Sequence, residues 1–186
     1  MDKINELLKA GDMHSDGNAP QVAESVLKDK KRLVDLLRCL DDPDSVVRAH
    51  AAHAIEAITR SKPEWLSGET RRIIPRAESD AYPTVRWHMA MTLGNLAGHM
   101  KDALPATESL LRCIKDTSPL VRSWSVYSLV AIGRKHPEHN PRILTALRAH
   151  EHDRSPSVRS RVNRAITLLQ FPDLPMPTTW IKESKG

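Results

Sequence analysis

Four copies of one seven-residue pattern decide the fold of this chain: DPDSVVR at 42–48, DAYPTVR at 80–86, DTSPLVR at 116–122 and DRSPSVR at 153–159. Each copy reads Asp, two variable residues, Pro or Ser, one variable residue, Val and Arg. The final arginines are 38, 36 and 37 residues apart. Such regular spacing of so specific a string indicates a tandem array of structural repeats.

The pattern is typical of the start of a helix. Proline stands at its fourth position in three copies, where the missing N–H would be unbonded in a first helical turn anyway. The residue before this fourth position is Asp44, Ser118 or Ser155 in three copies, and each of these side chains can cap the helix. Tyr82 is the exception. We therefore predict that a helix begins within each copy.

Apolar residues surround each copy at helical spacing. In the first repeat they continue through Val47, Ala51, Ile55 and Ile58, which predicts a second helix of about four turns. Ahead of the copies, LLRCL at 36–40 is nearly repeated by LLRCI at 110–114. The unit is therefore helix, turn, helix, and we predict one domain over 1–186, divided as a cap at 1–29, repeats at 30–66, 67–102, 103–139 and 140–170, and a Pro-rich tail at 171–186.

A period near 37 residues with paired helices, a turn Asp and a Val-Arg resembles the HEAT repeat family, over roughly residues 30–170. The resemblance implies an all-α fold, a right-handed α-solenoid of about four HEAT-like helix pairs, whose second helices line a concave face. It also implies a charge ladder, in which each turn Asp and the following Arg bond between neighbouring repeats. The ladder residues are Asp42, Asp80, Asp116 and Asp153 with Arg48, Arg86, Arg122 and Arg159.

The two ends depart from the repeat, as the ends of a stacked array require. Residues 2–10 and 19–28 favour a degenerate N-terminal helix pair joined by a polar loop; one long helix over 19–40 is the alternative interpretation. At the other end Pro172, Pro175 and Pro177 forbid a regular helix. The tail is expected to run extended and to place Trp180 on the last repeat.

Composition is typical of a folded cytoplasmic protein. The 186 residues are 40% hydrophobic and 27% charged, which argues against disorder, and the net charge of +5 favours acidic partners. Two cysteines are too few for a disulfide framework, and Cys39 and Cys113 are expected in the core. We expect neither a signal peptide nor a membrane span. We also expect the protein to be a monomer.

The candidate site follows from helical geometry. Positions two, five and nine after each ladder arginine point away from the apolar face and are expected to line the concave surface. Trp124 and Tyr127 are the predicted anchors, because large rigid rings bury much area at little entropic cost; the competing interpretation is that the tail covers them through Trp180 or Phe171. The row comprises His50, His53, Ala57, His88, Met91, Asn95, Trp124, Tyr127, Ala131, Arg161, Arg164 and Leu168.

The basic C-terminal end of the chain is open to two interpretations. Arg161 and Arg164 could grip phosphates or carboxylates, and a solvated terminal face is the equally weighted alternative. His50, His53 and His88 suggest a zinc site, but no carboxylate completes it and we predict none.

No catalytic motif, cofactor or metal is expected from the sequence. We therefore predict a non-catalytic adaptor that holds a protein partner on the concave face. The alternative is a nucleic-acid binding protein, similar to the DNA glycosylases built of HEAT-like repeats.

Overall fold

The computed structural model describes residues 3–13 and 15–180, and within them every regular element is helical. The ten α-helices of these residues are α1 (Ile4–Leu8), α2 (Ala19–Lys28), α3 (Leu33–Arg38), α4 (Ser45–Ser61), α5 (Thr70–Ser79), α6 (Pro83–Asn95), α7 (Leu104–Cys113), α8 (Pro119–Lys135), α9 (Asn140–Arg148) and α10 (Pro156–Gln170). The predicted all-α fold is confirmed.

The helices form two layers. Helices α2, α4, α6, α8 and α10 pack side by side in chain order and constitute the second-helix layer. Helices α5, α7 and α9 pack likewise in the other layer, and each pairs with the helix that follows it. The layered stack is that of an α-solenoid, in which each helix pair buries its apolar face against its neighbours. The residue boundaries assigned to the repeats stay a prediction.

The second helices approach closely where small residues meet. A Cβ added to Gly94 of α6 would lie 2.5 Å from Ser128 Oγ and 2.8 Å from the Ser128 backbone. The Ser128 hydroxyl uses this proximity to donate to the carbonyl of Ala90 at 2.7 Å. The buried serine is thereby satisfied, and α6 and α8 are held at a fixed distance.

The charge ladder implied by the family resemblance is present. Arg86 Nε and Nη2 donate to the Asp116 carboxylate at 2.7 and 3.0 Å, and Arg122 donates to Asp153 with both distances at 2.8 Å. Arg48 Nε reaches Asp80 at 3.0 Å. Each step joins one second helix to the turn of the next repeat, so the ladder fixes the stacking register.

The helix caps differ from the prediction. The Asp44 carboxylate does accept from Val46 N at 2.9 Å, but Ser118 and Ser155 make no side-chain cap bond. The ladder carboxylates hold these turns, since Asp116 and Asp153 accept from the backbone N–H of Ser118 and Ser155 at 2.7 and 2.8 Å. The ladder Asp is thus both the turn residue and the inter-repeat acceptor.

The segment from residue 19 to residue 38 contains two helices, α2 and α3, rather than one. Helix α2 ends at Lys28, and Asp29 is extended with φ −139° and ψ 94°, before a short 3₁₀ turn leads into α3. The interpretation of one long helix over 19–40 is therefore wrong. The Asp29 carboxylate accepts from Lys31 N at 3.1 Å, which stabilises the new start.

Candidate functional site

The predicted concave row lies on the second-helix layer, but its members differ in exposure. Arg164 is exposed, while three members, namely His50, His88 and Met91, are only 2–3% exposed. Leu168 is fully buried, so the prediction that it lines an open surface is wrong. The partly exposed members are His53, Asn95, Trp124, Tyr127 and Arg161, with Ala57 and Ala131. The row is therefore a surface with covered and uncovered parts.

His50 is covered by the N-terminal segment. Its Nδ1 lies 2.8 Å from the carbonyl oxygen of Leu8, and its Nε2 lies 3.1 Å from those of Asp12 and Ser15. Gly17 has φ +48°, and a Cβ there would collide with the Ala10 carbonyl and the imidazole. The prediction that His50 contacts a partner is therefore corrected, because this ring ties the cap to α4.

Met91 and Asn95 also serve the stack. Met91 is 2% exposed within the core. The Asn95 side-chain amide donates to Thr59 Oγ1 at 3.1 Å and to Glu56 Oε1 at 3.3 Å, which joins α6 to α4. Glu56 itself is fully buried and forms an ion pair with Arg60. Met91 is therefore removed from the exposed face, and Asn95 holds a buried carboxylate in place.

Five rings from three neighbouring helices form a continuous row, here called the ring row. Ring centroids of His53 and His88 are 4.8 Å apart, and those of His88 and Trp87 are 3.4 Å apart. Trp87 stacks on Trp124 at 6.2 Å, and Trp124 meets Tyr127 edge to face at 5.8 Å. Such offset and edge-to-face pairs are favourable arrangements, so the rings are preorganised. His88, only 3% exposed, packs between the other rings, and the prediction that it contacts a partner is corrected.

Trp87 was not in the predicted row. It lies one residue after its ladder arginine, whereas the prediction took positions two, five and nine. Its ring lies between those of His88 and Trp124, with centroid distances of 3.4 and 6.2 Å. Its aromatic character was the one sequence signal that could have placed it there.

Arg161 and Trp180 complete the ring row at its C-terminal end. The Arg161 guanidinium carbon lies 4.6 Å from the Trp124 ring centroid and 5.0 Å from that of Trp180. Trp180 also meets Tyr127 edge to face at 6.5 Å and is only 6% exposed. Arg161 therefore makes cation–π contacts with two tryptophans at once.

The tail folds back over the second-helix layer to deliver this ring. Arg134 Nη2 donates to the Leu174 carbonyl at 2.5 Å and, more weakly, to that of Leu168 at 3.4 Å. Phe171 remains 60% exposed. The interpretation that the tail covers Tyr127 therefore agrees with the position of Trp180, whereas Phe171 takes no part.

The environment of this end is poorly hydrated. Burial raises the pKa of the Tyr127 hydroxyl, and the nearby Glu56 carboxylate adds to the increase. Burial also lowers the pKa of Arg161, an effect that Tyr127 partly opposes. Charges and dipoles interact more strongly away from water. The Arg161 guanidinium therefore favours contact with flat, electron-rich groups such as aromatic rings.

The thiols and histidines do not assemble reactive chemistry in the described residues. Burial raises the pKa of Cys39 to about 11 and that of Cys113 to about 12, so both are protonated near neutral pH. Their Sγ atoms donate to the carbonyls of Asp35 and Ala77. Over residues 3–13 and 15–180, no group of three His, Cys, Asp or Glu side chains could hold a metal ion. None of the described helices is both long and apolar enough to cross a bilayer.

Comparison with known proteins gives a family and a fold. The sequence profile described as HEAT repeats matches residues 70–167. No curated protein matches the chain. Among solved structures, the complex of CpcE and CpcF of phycocyanin lyase from Nostoc sp. is 22% identical, with a TM-score of 0.72 over 87% of this chain and 95% of that one.

Designed armadillo repeat proteins are also similar. One, in complex with the peptide (KR)4, is 18% identical, with a TM-score of 0.69 over 89% of this chain and 80% of that one. Another, designed for modular peptide recognition, is 18% identical with a TM-score of 0.69 over 88% and 79% of the two chains. At these identities the likeness is one of fold alone.

Proposed function

The chain belongs to the HEAT repeat family, and from that premise we propose that it is a non-catalytic adaptor that binds a segment of a protein partner along the ring row. The observation that carries the proposal is the run of rings and one guanidinium across four repeats, from His53 through Trp124 to Arg161. Rigid aromatic side chains and arginine are the residue types that dominate binding energy at protein interfaces.

The fold supports this proposal. HEAT and armadillo solenoids commonly mediate protein binding, and the designed armadillo relatives include one in complex with a peptide. The phycocyanin lyase complex has the same fold, which keeps an accessory role in an enzyme as the competing class. We favour binding because the groups gathered at the ring row are rings and a guanidinium, rather than a nucleophile beside a base.

We further propose that the adaptor is monomeric and cytoplasmic. The exposed side chains of α10, among them Ser160, Asn163 and Arg164, are polar, as suits a terminal repeat that faces water. Cys39 and Cys113 are both free thiols, which fits a reducing compartment.

A peptide library displayed on phage and selected against the wild-type chain tests the proposal. Selected peptides are then titrated against the Trp124→Ala, Tyr127→Ala double variant, whose helicity is checked by circular dichroism. We expect affinity to fall by at least about 30-fold, since truncating an anchor costs about 2 kcal/mol or more. Trp65→Ala, a half-buried tryptophan outside the ring row that contacts Lys30, is the matched control and should bind as wild type.

Peptides that bind the double variant as tightly as the wild type would remove the ring row as the site. The nucleic-acid alternative is tested in parallel with labelled single- and double-stranded oligonucleotides at two salt concentrations. Tight binding that weakens steeply with salt, and disappears in the Arg161→Glu, Arg164→Glu variant, would replace the adaptor proposal with the nucleic-acid one.

A further inference from the structure

Trp180 lies in a defined seat at the C-terminal end of the ring row. The seat has a guanidinium on one side, Arg161 at 5.0 Å, and the edge-to-face ring of Tyr127 at 6.5 Å. The floor is extended by Trp124, which contacts the same guanidinium at 4.6 Å. With only 6% of its surface exposed, Trp180 is the one large side chain of residues 171–180 that is buried.

The occupant is a segment of turns rather than an α-helix or an extended strand, which corrects the expectation of an extended tail, since the Leu174 N–H donates to the Phe171 carbonyl at 3.1 Å and the Trp180 N–H donates to that of Pro177 at 2.9 Å. Between Gln170 and the short 3₁₀ turn at Thr178–Trp180 the tail has no α-helix, and residues 171–175 are exposed. The segment is held by the ring in its seat, by the Leu174 carbonyl on Arg134 Nη2, and by Met176, which is half-buried against the core.

The hold of the tail is incomplete. Arg134 Nε is buried and has no hydrogen-bond partner among the described residues. A buried charged donor left without an acceptor costs free energy, which an occupant with a second acceptor at this point would recover. The tail is thus an imperfect ligand for a site that the second-helix layer forms.

We propose that this seat binds an aromatic side chain of a partner segment that is not α-helical, and that Trp180 of the protein's own tail occupies it until the partner displaces it. The inference rests on the proposed function and specifies its partner: a linear segment with an aromatic ring, preceded about six residues earlier by a carbonyl or carboxylate that Arg134 can bind. The spacing is that of Leu174 and Trp180 in the tail. A tethered segment competes at an effective concentration of about millimolar. A partner present at a lower concentration must therefore bind the seat more tightly than the tail does.

Competition in trans tests this directly. The probe is a fluorescein-labelled peptide of residues 171–180, titrated by fluorescence anisotropy against the full-length wild type, Trp180→Ala and Phe171→Ala. Removing the tethered ring frees the seat, so we expect Trp180→Ala to bind the probe at least about tenfold more tightly than wild type. Phe171→Ala changes an exposed tail ring and should behave as wild type. Adding Arg161→Ala to Trp180→Ala should abolish the gain.

Equal affinity of the wild type and Trp180→Ala for the probe would overturn the inference. So would a thymidine oligonucleotide that binds Trp180→Ala and excludes the probe, because the seat would then take bases. If Trp180→Ala does not fold, Thr179→Gly loosens the turn that presents the ring while keeping the seat, and the same titration should give a gain of about threefold.

The two proposals fail differently. Library peptides that need Trp124 and Tyr127, together with no gain in Trp180→Ala, would refute the tail's role and leave the adaptor intact. Library peptides that bind the Trp124→Ala, Tyr127→Ala variant as tightly as the wild type would refute the adaptor proposal itself.

Discussion

Replacing Arg122 by alanine tests the charge ladder where it is most deeply buried. The side chains of Arg122 and Asp153 are only 5% and 7% exposed, and two bonds of 2.8 Å join them. A third bond, from Arg122 Nη1 to the Asp116 carbonyl, is also 2.8 Å long. The residue therefore ties its own turn to the next repeat.

The expected loss is about 3–5 kcal/mol of unfolding free energy, the usual cost of removing one partner from a buried ion pair. Alanine leaves the Asp153 carboxylate with the Ser155 N–H at 2.8 Å and without its arginine. Arg159→Ala is the matched control, since Arg159 occupies the same ladder position and donates to the Asp153 carbonyl at 2.7 Å, but meets no carboxylate among the described residues. Losing that neutral acceptor should cost about 1 kcal/mol.

The difference between wild type and Arg122→Ala should depend on pH. The Arg122 hydrogen bond is the largest influence holding the pKa of Asp153 below its ordinary value. A carboxyl whose pKa is lower in the folded state stabilises the fold above the unfolded pKa, about 3.9, and this contribution disappears as pH falls through the folded pKa. The difference in stability between the two proteins should therefore narrow as pH falls below about 4, while the part due to the Asp116 carbonyl bond remains.

Urea unfolding followed by far-ultraviolet circular dichroism measures these free energies at neutral and acidic pH. Hydrogen exchange on the same samples locates the change, which should centre on α9 and α10. If Arg122→Ala costs no more than Arg159→Ala at neutral pH, or if the gap stays constant on acidification, the ladder does not stabilise the stack in the way argued.

Three further outcomes are expected. Gly94→Ala should destabilise the fold by about 1–3 kcal/mol, because its Cβ would overlap α8, whereas Gly68→Ala, with nothing within 4 Å, should be neutral or stabilising by up to about 1 kcal/mol in urea melts. His50→Ala should speed proteolysis of residues 3–28 without melting the repeats, and unchanged cleavage would show that the ring does not hold the cap. Cys39 and Cys113 should resist a disulfide reagent at pH 8 until the protein is unfolded, and fast labelling of the native state would contradict their raised pKa values.

The ring row shows how repetition turns single positions into a surface. No helix carries more than two of its rings, yet α4, α6 and α8 place theirs side by side because each repeat repeats the same helix start. A ladder arginine fixes that start in every repeat, so positions counted from it recur at neighbouring points. The prediction that named Trp124 and Tyr127 rested on this count, and their role as anchors stays a proposal.

The sequence by itself determined the repeat and the helix pairs. Each follows from local chemistry, since proline starts a helix, apolar spacing sets its face, and a regular period forces neighbouring copies to stack. The partners of the ladder followed from the family resemblance and were found in the structure, as Arg86 on Asp116 and Arg122 on Asp153 illustrate.

Only the tertiary structure decided which parts of the row are open. Helical periodicity gives the direction in which His50 or Arg161 points. It does not predict that a segment tens of residues away in the chain packs over these side chains. The N-terminal loop closes over His50, and the tail brings Trp180 to Arg161. Both segments lack the repeat, so their docking depends on side-chain contacts between positions distant in the chain, which no local pattern encodes.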